Sequence, residues 1–169
     1  MTTAAPTGTE QPPAPGAPPV LNQPLWFLTN LARVRLDAAH SGGTLDVVES
    51  LGRRGEMPPL HLHHREDEYF VMLAGELTVH LPGESRRLAA GEAAFAPKGV
   101  PHTYRVESEE ARWLALSTPS GFASFVAAVA APAESETLPP GDRPVGLDRL
   151  EAAAEAHGIE LLAPPGTLP

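Results

Sequence analysis

The sequence predicts an all-β domain, an antiparallel sandwich or barrel, followed by short helices. Three observations carry this. Eight short runs with β-type character recur between Val34 and Thr118, each closed by a turn signal. After Thr118 the apolar spacing changes from every second residue to a helical repeat. At 169 residues with 42% hydrophobic side chains, the chain suits one domain with a real core. Only 5% of residues are aromatic, so that core must lean on Val, Leu and Ala.

The expected strands are Thr44 to Leu51, Leu60 to His63, Glu68 to Leu73, Glu76 to Leu81, Arg86 to Leu88, Ala93 to Ala96, His102 to Glu107 and Arg112 to Ser117. Gly52 to Gly55, Ala74-Gly75 and Pro82-Gly83 punctuate them. Beyond them, Ser120 is placed to cap a helix through Phe122, Phe125, Val126 and Val129. A Pro-rich loop from Pro132 to Pro144 then leads to a second helix, Leu147 to His157, with Leu150 and Ala154 on its apolar stripe and Gly158 as its stop. Residues 1–24, built from Pro, Ala, Thr and Gly, read as a flexible or extended arm, with Leu25 to Leu28 as its anchor. The expected organisation is therefore an arm (1–24), a barrel (25–118) and a C-terminal helical extension (119–169).

His61, His63 and Glu68 stand as His-x-His-x4-Glu, and His102 follows a second segment marked by Gly and Pro. Imidazole nitrogens and a carboxylate oxygen suit divalent first-row metals. Side chains two apart on a strand share a face, so His61 and His63 can hold one ion from one strand. Glu68 is then expected back on a neighbouring strand. His64 points the opposite way, His157 ends a helix, and His40 and His80 have no supporting pattern.

Gly55 precedes His61 by five intervening residues and Gly75 follows Glu68 by six; downstream, Gly91, Pro97, Gly99 and His102 read G-x5-P-x-G-x2-H. In order and spacing these segments resemble the two motifs of the cupin family. The resemblance runs from Thr44 to Thr118 and implies a double-stranded β-helix, the jelly-roll cupin barrel. One position departs from the pattern: the second motif often closes on asparagine, where this chain has Val106. The run His61 to Phe70 and the tail from Gly158 to Pro165 look like small single-domain cupins similar to quercetin 2,3-dioxygenase.

Strand alternation proposes the rest of the cavity. With Glu68 inward, Phe70 and Met72 follow; with His102 inward, so do Tyr104 and Val106. Together with Phe95, Val48 and Trp113 they would line an apolar substrate pocket, although large apolar residues also simply fill small barrels. Tyr69, Val71 and Leu73 should face a second covering layer: another sheet, the terminal segments or a partner subunit in a homodimer.

A net charge of −9 argues against nucleic acid or an anionic membrane as partner. The absence of cysteine removes thiol nucleophiles, disulfides and thiolate metal sites. Arg33 is the first basic residue and no long apolar run lies near the start, so the expectation is a cytoplasmic protein without signal or membrane span. Eleven arginines against one lysine suggest a GC-rich bacterial genome. The resemblance implies one divalent transition metal (Ni, Co, Fe, Cu, Mn or Zn), a hydroxylated aromatic substrate such as a flavonol, dioxygen as co-substrate, and Glu68 as the catalytic proton acceptor. The alternatives in the same fold are a metal-dependent isomerase, cyclase or decarboxylase of a keto or polyketide intermediate, and a non-catalytic small-molecule-binding cupin.

Overall fold

The computed structural model describes residues 21–141 and 146–169. Most of the expected arm (residues 1–20) and the end of the Pro-rich loop lie outside these. In chain order the elements are β1 (Leu25–Phe27), β2 (Asn30–Leu36), a one-turn helix α1 (Ala38–Ser41), β3 (Asp46–Arg53), β4 (Leu60–His63), β5 (Asp67–Ala74), β6 (Glu76–Leu81), β7 (Glu84–Ala89), β8 (Ala93–Ala96), β9 (Thr103–Val106), β10 (Glu110–Thr118), α2 (Phe122–Val129), β11 (Ala131–Pro132), α3 (Leu147–His157) and β12 (Ile159–Ala163).

Seven strands form one antiparallel sheet in the order β11-β1-β2-β3-β10-β5-β8. The three strands β7-β6-β9 and the pair β12-β4 are joined where His61 and His102 exchange backbone hydrogen bonds of 3.1 and 2.8 Å. That junction makes a second sheet, and the two sheets face each other as a jelly roll. Gly75, with φ +73°, turns β5 into β6 where an added Cβ would strike the Glu110 carbonyl, so the first motif ends on a residue only glycine satisfies.

The register of the large sheet explains which residues face inward. Asp46, Ser117, Glu68 and Ala96 form one cross-strand row; Val48, Ala115, Phe70 and Ala94 form the next; Ser50, Trp113 and Met72 a third. Between the sheets, Phe70, Met72, Leu77, Val79, Leu88, Val106 and Trp113 make a dry floor. At the other end, α2, α3 and β12 bring Phe125, Val126, Leu150, Ala154 and Ile159 against Phe27, Val34 and Val48. The C-terminal segment thus closes the barrel rather than merely decorating it.

Helix α2 starts at Gly121, not under a Ser120 cap: the Asp46 carboxylate on β3 accepts from the Gly121 and Ala123 amides at 2.6 and 3.0 Å, so a long-range contact replaces the local one. Gly158 ends α3 in the left-handed conformation, donating to the carbonyls of Ala154 and Glu155. The chain then continues as β12 along β4, a strand within the expected helical extension. On the outer face Tyr69, Leu73 and Phe95 remain 36%, 44% and 45% exposed.

Candidate metal centre

Strand β4 carries His61 and His63 between two neighbours. β12 pairs with it through Ile159 opposite His63 and Leu161 opposite His61, and the segment before β9 pairs on its other edge at His102. Glu68 arrives from β5 of the facing sheet, not from a strand hydrogen-bonded to β4, because the closed barrel brings the two sheets together there. Ligating atoms of His61, His63, Glu68 and His102 all lie within 4.8 Å of one another. Donors about 2.1 Å from one ion sit up to about 4.2 Å apart, so a small inward movement closes the set around a cation.

The hydrogen bonds around the imidazoles fit that role. His61 Nδ1 lies 2.8 Å from the Pro59 carbonyl and His102 Nδ1 lies 3.0 Å from that of Val100, so each carries its proton on Nδ1 and aims Nε2 inward. Both nitrogens of the buried His63 ring lack a hydrogen-bond partner. His102 Nε2 is 2.9 Å from Glu68 Oε2, and His63 Nε2 is 3.5 Å from the same oxygen. Burial, then the charges of His102 and His63, push the His61 imidazole down to about 3. Burial opposes a charge on Glu68, yet the His102 hydrogen bond and the neighbouring histidines hold its carboxyl at about 2. Burial also works against His102, but Glu68 raises it above the ordinary imidazole value. A neutral His61 beside an anionic Glu68 is the donor chemistry a divalent ion takes.

This group opens on an apolar chamber of about 60 Å³. Phe70, Tyr104 and Trp113 line it, with Phe27, Phe122, Phe125 and Leu150 opposite. Met72 and Val106 point inward but belong to the floor beneath, and Val48 packs under α2. Phe95 does not face the chamber: it pairs with Tyr69 in an outer row and stacks on that ring at 4.8 Å, leaving Ala94 and Ala96 as the inward residues of β8. A second space of about 450 Å³, reached past Leu28, Pro58, Pro59 and Leu150, forms a vestibule with Arg53, Arg54 and Glu56 on its wall.

The chamber also holds polar groups the sequence reading missed. Asn30, 2% exposed, lies 2.9 Å from the Tyr104 hydroxyl. With its amide nitrogen turned to Glu56, Asn30 accepts from Tyr104 and both groups are satisfied. Burial, then the Glu56 charge, raises Tyr104 well above its ordinary value, keeping it protonated. Asn30 precedes the β-type run and sits 74 residues from Tyr104, so no local spacing reveals the pair.

Comparison with known proteins fits this architecture. The cupin domain family matches residues 51–117. Quercetin 2,3-dioxygenase of Bacillus subtilis is 28% identical over 137 residues, which are 80% of this chain and 41% of that protein. An uncharacterized protein of Aquifex aeolicus is 40% identical over 68 residues, 40% of this chain and 54% of that one. The chain thus spans about half or less of these two relatives. Among solved structures, a predicted oxalate decarboxylase from Thermotoga maritima superposes with TM-score 0.54 at 18% identity, covering 58% of this chain and 94% of that one. An RmlC-like cupin from Shewanella frigidimarina gives 0.50 at 18%, covering 59% and 86%. With the jelly roll, the two motifs and the four converging side chains in place, residues 51–117 match the cupin domain family and the chain resembles quercetinase-like cupins.

Proposed function

We propose that this cupin is a metal-dependent dioxygenase acting on a hydroxylated aromatic substrate of flavonol type. The observation that carries the reading is a buried three-histidine, one-carboxylate group opening on an aromatic-lined chamber. Similarity to the Bacillus subtilis quercetin 2,3-dioxygenase supports the reaction class. His61, His63, Glu68 and His102 would hold the ion, leaving coordination positions free. A divalent transition metal supplies a Lewis acid for a substrate oxygen and, when redox-active, a path for electrons to dioxygen.

The remaining roles belong to the chain itself. Glu68 would accept the proton of the substrate hydroxyl on a carboxylate oxygen and hold it there. A carboxyl held at about 2 is a weak base, so Glu68 would need a bound divalent ion to acidify the hydroxyl before it could take the proton. Phe70, Tyr104 and Trp113 fix the plane of the reacting ring, while Phe122, Phe125 and Leu150 keep water from it. The chamber holds one ring, and the vestibule beyond Pro58 and Pro59 takes the rest of the substrate. The exposed Tyr69, Leu73 and Phe95 mark the face for a second copy in a homodimer.

Oxygen uptake by metal-loaded protein with flavonols tests the reading. One dioxygen should be consumed per flavonol, and Glu68→Gln should slow turnover at least about 100-fold. Equal rates in the two proteins would remove Glu68 from the mechanism. A smaller keto or polyketide substrate isomerised or decarboxylated without dioxygen is the second reading, favoured by the small chamber. A stoichiometric metal without oxygen uptake would put it first.

A further inference from the structure

The three histidines of the centre are not held alike. His61 and His102 each have Nδ1 pinned by a backbone carbonyl two residues earlier. His63 has none. Its ring, 1% exposed, stands between two carboxylates, with Nε2 3.5 Å from Glu68 Oε2 and Nδ1 3.5 Å from Glu66 Oε2. Neither ring nitrogen and neither of these contacts reaches hydrogen-bond geometry, and Glu66 Oε2 also lacks a partner.

Glu66 is itself unusual. It lies between β4 and β5 in the charged run Arg65-Glu66-Asp67, where a solvated turn is the ordinary outcome, yet it is only 3% exposed. The N-terminus of α2 covers it: an added Cβ on Gly121 would collide with Glu66 Oε1, so the missing side chain at that position makes the room the carboxylate occupies. Phe122, the first residue of α2, lies 5.9 Å from the His63 ring. Burying a carboxylate costs several kcal/mol of hydration unless a partner compensates (about 2–7 kcal/mol even for a neutral polar group). Among the described residues, the titratable ring within reach of its free oxygen is His63.

We propose that Glu66 is a positioning residue of the metal centre, accepting the Nδ1 proton of His63 so that Nε2 is free for the cation. The inference rests on the assignment of the four residues as metal ligands. It gives His63, through a side chain, what His61 and His102 receive from the backbone: one tautomer, one ring orientation and a more basic ligating nitrogen. It also ties the centre to α2, because Glu66 stays in place only while Gly121 leaves space.

Zn2+ titration of the full chain against a competing chelator tests this with Glu66→Gln, Glu66→Met and Gly121→Ala. Gln keeps an acceptor without the charge and should weaken Zn2+ binding roughly 10-fold; Met removes both and should approach 100-fold. Gly121→Ala, which keeps Glu66 but displaces it, should weaken binding as well. Nitrogen-15 spectra of the Zn2+-saturated protein add a readout that a purely structural role would not move. A slowly exchanging Nδ1 proton on His63 should be present in the wild type and absent from Glu66→Met. Unchanged affinity and an unchanged His63 proton in folded Glu66→Met would overturn the proposal while leaving the centre intact. Failure of the wild type to bind Zn2+ would instead overturn the centre, and this role with it.

Discussion

The floor and the mouth of this barrel are built on the same strands, and one row of residues separates them. On β5, Met72 sits in the floor among Leu77, Val79, Leu88 and Val106, all 0–1% exposed and without a polar atom to satisfy. Two rows away, Glu68 shares its cross-strand row with Ser117 and Asp46. Six buried polar side-chain atoms lack partners among the described residues, and five of them (on Asp46, His63, Glu66 and Ser117) belong to the mouth. Each such atom costs about 1–3 kcal/mol, a large sum against a typical stability of about 5–15 kcal/mol. A fold keeps that cost where something else offsets it. Here the floor supplies stability and the mouth spends it on a binding-competent arrangement.

Opposite substitutions at the two ends should therefore separate. Met72→Ala is expected to lower unfolding free energy by about 2–5 kcal/mol and leave metal affinity of the folded protein within about twofold. His63→Leu is expected to lower metal affinity by more than about 100-fold, beyond the loss typical of an outer partner, while costing less stability in chelator than Met72→Ala. Urea unfolding with and without chelator, alongside metal titration, measures all four quantities. A Met72→Ala protein that folds but no longer binds metal would show that the two ends are one unit.

Acid should act most strongly on the mouth, with smaller losses from Asp37, held down by its His40 hydrogen bond, and from His80 on β6, held down by burial. His61 protonates near 6.5 when unfolded but only at about 3 in the folded, metal-free protein. As pH falls through that window the unfolded chain binds a proton the folded one refuses, so stability falls by up to about 1.4 kcal/mol per pH unit. Glu68, ordinarily near 4.5 and here at about 2, adds its own loss as pH drops below 4.5. His102, raised by Glu68, is protonated in both states over this range; its contribution is lost only as pH rises through its folded value. Unfolding in chelator between pH 7 and 3 should show a decline that steepens below about 4.5. Met72→Ala should shift the curve down without changing its slope, since no floor residue titrates.

The same division explains what the sequence disclosed. The His-x-His pair and the turn glycine at Gly75 are local, so their spacing alone predicts a shared face and a strand end. The eight strands between Thr44 and Ser117 were legible for the same reason. Phe95 was misplaced because Ala-Ala-Phe-Ala carries no ligand to set its phase, and size suggested an inward residue where alanines actually pack. Glu66 reads as solvent-facing in a charged run and is buried only by a helix 55 residues downstream. Residues 159–163 become a strand because β4 offers a free edge, which only the closed barrel reveals.

Asp46 gives the smallest expected effect and probes the border between the two regions. Its carboxylate caps α2 from β3, so Asp46→Ala removes acceptors for the Gly121 and Ala123 amides and should cost about 0.5–2 kcal/mol. Burial raises its carboxyl, with the nearby Asp37 and Glu66 charges adding, against those two backbone hydrogen bonds. A raised carboxyl contributes stability below its unfolded value that is lost as pH rises through the folded one. Asp46→Asn keeps an acceptor but cannot ionise, so its stability relative to the wild type should improve as pH rises past that point. Because Gly121 also abuts Glu66, Asp46→Ala should weaken Zn2+ binding in addition, whereas Asp46→Asn should not. Equal Zn2+ affinity in both variants would mean that α2 can shift without disturbing His63, and that the mouth depends on the C-terminal segment only for closure.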